Sequence, residues 1–118
     1  MTRPWVGRAL MAVGVIHTLF GLFGFRRTFG ELLAEGLWNT VNGQLKREFA
    51  FWFVLCGLVL VLLGALVHTI ERTRGSLPRY LGWSLLALTI ATVVVMPISG
   101  GWLLFPGAIG AVLKRSPP

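Results

Sequence analysis

The chain has 118 residues, of which 55% are hydrophobic and only 13% charged, and its mean hydropathy is +0.76. That balance excludes an ordinary soluble domain of this size, and it leaves room for about four helices of membrane-spanning length, each needing roughly 17–25 apolar residues. The net charge of +7 would suggest nucleic acid in a hydrophilic chain, but here the basic residues cluster at the edges of apolar runs, so we read it as membrane topology and expect no nucleic-acid partner.

The first predicted span covers about residues 5–25, between Arg3 and Arg8 on one side and Arg26 and Arg27 on the other. A cleaved signal is the competing reading; the length of the stretch and the lack of an A-x-A-like site before Arg26 favour a retained helix. At mid-span stands the stretch GVIHTLFG, with His17 about 18 Å from one end and about 12 Å from the other at the helical rise. Gly7, Gly14 and Gly21 recur every seven residues beside it, so this face should pack on another helix and His17 should point into the bundle.

The connection that follows is too long for a turn. Phe29, Leu32, Leu33 and Leu37 recur at helical spacing while Glu31 and Glu35 share the other face, which predicts an interfacial amphipathic helix over about 28–41, stopped by Asn42-Gly43. The second span, about 49–70, is the strongest hydropathic signal and contains the single cysteine, Cys56. A lone free thiol in an apolar run behaves as a small hydrophobe. The third span, about 80–96, opens with the interfacial aromatics Tyr80 and Trp83 and stops at Pro97. The fourth, about 99–113, is short, and Pro106-Gly107 should kink it.

Counting bases near span ends gives seven on the side of the termini (Arg3, Arg8, Arg72, Arg74, Arg79, Lys114, Arg115) against four (Arg26, Arg27, Lys46, Arg47) on the other. Both termini should therefore be cytoplasmic. The predicted architecture is an all-α membrane protein: an antiparallel bundle of four transmembrane helices, with the interfacial helix between the first and second, forming one domain.

An ionisable group inside a membrane is by default a contact for a ligand, a proton or a substrate; the alternative is a neutral imidazole tied to a neighbouring helix. By depth the partners of His17 should be Thr92, with Thr89 one turn away, or Cys56. A polar cap over this site is expected from Trp38, Asn39, Thr40, Asn42 and Gln44, joined by Ser99 and Trp102, with Trp52, Phe53 and Trp102 as aromatic walls. The same residues also serve to end helices, anchor interfaces and turn a hairpin. Glu48 would either rim the pocket or favour the helix dipole at the start of the second span. His68 and Glu71 read as an exposed i,i+3 pair. The residues suggest neither a metal site nor a cofactor.

Three function classes follow. The first is binding or transport of a small apolar or amphiphilic molecule in a pocket opening to the outer leaflet. The second is a structural or regulatory membrane partner without a ligand. The third is a membrane enzyme acting on a lipid-like substrate through His17 and Glu48. Glycine stripes on the first and second spans, if exposed, would also favour a homo-oligomer. The blocks G-x-x-H-T, GLWNTV, REFAFWF, LPRYLGW and MPISGGWLLFPGA together resemble a bacterial family of small four-helix integral membrane proteins of unknown function. That resemblance spans nearly the whole chain and implies a bacterial inner membrane and a single domain, but no assigned activity.

Overall fold

A computed structural model describes residues 3–97 and 100–116. Within them the chain is helical: α1 (Val6–Gly24), α2 (Arg26–Ala34), α3 (Leu45–Arg74), α4 (Arg79–Val95), a 3-10 turn (Gly100–Leu104) and α5 (Phe105–Leu113). Two of these, α1 and α3, are long and apolar enough to cross a membrane; the helical stretches Arg79–Val95 and Gly101–Leu113 are apolar but shorter.

Small residues decide how the long helices meet. Gly7 lies against Gly64 and His68, Gly14 against Gly57 and Val61, and Gly21 against Phe53 and Val54. This falling register makes the pair antiparallel and lets the backbones approach where any side chain would hold them apart. The two glycine stripes therefore cover each other, which removes the argument for a homo-oligomer built on their exposure.

The second pair, α4 and α5, meets in the same way, with Gly82 against Ala111 and Val112. The two pairs join where α5 crosses α1, with Gly107 on Leu10 and Gly110 on Trp5 and Val6. The core sits at this end, around Val6, Leu10, Val67, Leu77 and Ala111, with Leu81 and Leu85 packed on it.

Helix boundaries follow local chemistry and correct several expectations. α3 runs one turn beyond the apolar stretch at each end and stops at Gly75, whose φ of 75° is a left-handed cap. The interfacial helix expected over 28–41 ends at Ala34. Gly36, Leu37 and Asn39 take positive φ angles of 89°, 69° and 50°, so the helix cannot continue and the segment to Gln44 is irregular. Leu33 and Leu37 are consequently exposed rather than aligned on a buried stripe, while Leu32 and Thr28 are buried. The fourth segment is broken rather than merely kinked: a 3-10 turn gives way to α5 at Phe105, leaving Pro106 in the first turn of the new helix, where its missing N–H costs nothing.

Candidate functional site

Polar groups gather at three places. The first is His17. Its Nε2 is 2.9 Å from the carbonyl oxygen of Phe53, and its ring stacks on the Phe53 ring at 3.9 Å and 15°. The imidazole is half-buried between α1 and α3, where Gly57 makes room for it. Its partner is thus on α3 and not on α4, correcting the expected bond to Thr92 or Thr89. Those hydroxyls donate within their own helix, to Leu88 and Leu85, a link that needs no second element. Cys56 is exposed, and the hydrogen bond of the ring goes to Phe53 instead.

The second place is the connection after α2. Arg47, in the first turn of α3, is nearly buried and reaches back across it. Its guanidinium grips both oxygens of Glu35, touches Glu31 at 3.4 Å and donates to the Thr40 carbonyl at 2.8 Å. The hydrogen bond from Arg47 holds the Glu35 carboxyl below the usual carboxylate range. The i,i+4 spacing of Glu31 and Glu35 was legible in the sequence. Arg47, read only as a topology charge, was not, because a fork that closes over twelve residues leaves no periodic trace.

Of the residues expected to form a cap, those from Trp38 to Gln44 lie along this connection, where Thr40, Asn39 and Asn42 are bonded locally. The Thr40 hydroxyl donates to the Leu37 carbonyl, the Asn42 amide donates to the Asn39 side chain, and the Glu48 carboxylate accepts from the Gly43 N–H. Gln44 is exposed and precedes α3. Trp38 is 91% exposed, and Trp52 and Trp102 also face outward; the Trp102 indole donates to the Pro97 carbonyl. Ser99 lies outside the described residues. His17 and Glu48, the pair an enzyme would need, are each engaged elsewhere, with Phe53 and Gly43.

The third place went unrecognised in the sequence. Glu71, expected on the surface beside His68, is buried with only 1% of its side chain exposed. It accepts hydrogen bonds from the N–H groups of Val6 and Gly7, at 3.2 and 2.7 Å, and pairs with Lys114 at 2.7 Å. A carboxylate thus caps α1 from outside, satisfying donors that have no partner inside the helix and meeting its positive end. Lys114 also donates to the Arg3 carbonyl and lies over the Trp5 ring. Beside them, Nδ1 of His68 is buried without a hydrogen-bond partner among the described residues. The only signal in the sequence was an acid placed directly after the end of an apolar run.

The model of a family of unknown function, DUF6463, matches residues 1–118. The chain belongs to that family. No curated protein and no solved structure matches. Membership agrees with the resemblance carried by the sequence blocks and assigns no residue a role, so the three polar clusters stand on their geometry.

Proposed function

We propose that this member of the family is an integral membrane protein that acts as a non-catalytic partner within the bilayer, its buried polar groups serving as ties between its own helices. Membership of the lipid phase is supported by what the long helices expose: only 28% of the apolar window of α1 and 22% of that of α3 is buried. A core helix of a soluble protein would be covered, whereas lipid accepts such surfaces. All four apolar segments cross or enter the bilayer in this reading, with both termini in the cytoplasm of a bacterial cell and the Arg47 connection outside.

The observation that carries the partner role is the direction of the polar bonds. His17 bonds from α1 to α3, Arg47 from α3 back to Glu31 and Glu35 at the end of α2, and Glu71 from α3 to the start of α1 and to Lys114 at the end of α5. A second reading, binding of a small apolar or amphiphilic molecule, is favoured by one feature: the His17–Phe53 stack is only half-buried, so one side of it is open to a guest.

Native mass spectrometry of the full chain released from detergent separates the two. The partner reading expects the bare chain, or the chain with phospholipid. A stoichiometric small molecule that disappears in His17→Ala would overturn it in favour of the ligand reading.

A further inference from the structure

The two ends of the molecule differ in charge far more than a count of bases implies. One end gathers the start of α1, the end of α3, the start of α4 and the end of α5. Glu71 holds Val6 and Gly7, Leu77 pairs with the backbone of Lys114 and Ser116, and Arg115 lies 5.9 Å from the Trp83 ring. Seven bases and one acid occupy this end, leaving six positive charges; the other end carries four bases and three acids, leaving one. Together these make up the chain's net +7.

What each charge does sharpens the contrast. At the first end the single acid, Glu71, is buried and spent on Lys114, the end's only lysine, so both leave the surface. The remaining six bases are all arginines, namely Arg3, Arg8, Arg72, Arg74, Arg79 and Arg115, and all six are exposed. At the opposite end Arg47 is consumed by Glu31 and Glu35. Arginine presents a planar fork that matches phosphate oxygens two at a time, where lysine offers a point charge. Exposed Tyr80, Trp83 and Trp5 lie beside the arginines, and such aromatic residues settle at headgroup depth.

We propose that this arginine-rimmed end is a binding surface for the phosphate headgroups of anionic phospholipids in the leaflet facing the termini. The inference rests on the membrane reading above. Topology alone requires only an excess of bases, of either kind; it does not require that the one acid be buried, that the one lysine be buried with it, or that every base left on the surface be arginine.

The test begins with the full chain inserted into phosphatidylcholine vesicles and washed at alkaline pH. A chain washed off would overturn the membrane reading, and this inference with it. The same chain in neutral detergent is then offered phosphatidylglycerol or phosphatidylcholine, and retained lipid is counted by native mass spectrometry at rising salt. Phosphatidylglycerol should be retained in preference, and the preference should fall as salt screens it. Arg72→Gln/Arg74→Gln and Arg79→Gln/Arg115→Gln should weaken retention by about fivefold per arginine removed, while Arg26→Gln/Arg27→Gln at the other end should leave it unchanged. Equal retention of the two lipids, or equal loss in the Arg26/Arg27 variant, would overturn the headgroup surface. So would displacement of phosphatidylglycerol by an equal concentration of inorganic phosphate, which would mark a free-anion site.

Discussion

At the scale of single residues Glu71 ties α3 to both α1 and the end of α5, because one carboxylate meets two orphan N–H groups of α1 and the ammonium of Lys114. Removing it leaves a buried cation unpaired, and breaking a buried pair from one side costs about 3–5 kcal/mol. Glu71→Ala should therefore unfold at markedly lower denaturant than wild type in detergent, and Lys114→Ala should do so too. The apolar exchange Glu71→Leu with Lys114→Met should recover part of the loss, since it strands no charge. Near-wild-type stability of both single variants would show that the pair carries no load. The sequence hid this residue for a physical reason. Its partners on α1 are some 65 positions away, and its neighbours Arg72 and Arg74 make the local stretch read as a solvated helix end.

At the scale of the element, the glycine stripes were legible and their partners were not. A seven-residue repeat shows that a helix face is small, but not which helix will meet it, because glycine carries no complementary signal of shape or charge. The same limit applies to His17: depth arithmetic placed it level with Thr92, yet the actual pairing is set by how α1 and α3 interlock. Here the structure permits a sharp contrast. A methyl group on Gly7 would meet backbone atoms of α3, among them the Gly64 carbonyl oxygen at 2.6 Å, and backbone cannot swing aside. Gly7→Ala should push α1 from α3 and cost about 1–3 kcal/mol, the range of overpacked cores. Gly30, inside α2, has nothing among the described residues within 4 Å of the same methyl group and is not in the left-handed region. Gly30→Ala should stabilise by about 0.5–1 kcal/mol, as expected for an exposed helix interior. Thermal melts in one detergent would compare the two; a harmless Gly7→Ala would mean that the helices do not interlock as described.

Over the whole molecule, hydropathy and charge point the same way, and each was readable in advance to a different depth. Apolar runs fixed the positions of α1, α3 and α4 to within a few residues, because a spanning-length run of apolar residues leaves few alternatives. They failed over 28–41 and 99–113, where positive φ angles and a 3-10 turn interrupt the helix. The orientation proposed above rests on the unequal ends, and the chain carries its own probe for it. Cys56 is the single cysteine and is exposed on α3, yet a thiol reacts with maleimide as the thiolate, which water supports and hydrocarbon does not. In native membranes Cys56 should resist a water-soluble maleimide and become reactive only after denaturation in detergent. With Cys56→Ser as background, Asn42→Cys in the Arg47 connection should be labelled on intact spheroplasts, whereas Thr73→Cys at the end of α3 should be labelled only after lysis. Labelling of Thr73→Cys from outside would reverse the orientation and turn the arginine-rich end away from the cytoplasm. Ready labelling of Cys56 in undisturbed membranes would argue that α3 lies in water rather than lipid, because the residue's exposure would then be exposure to solvent.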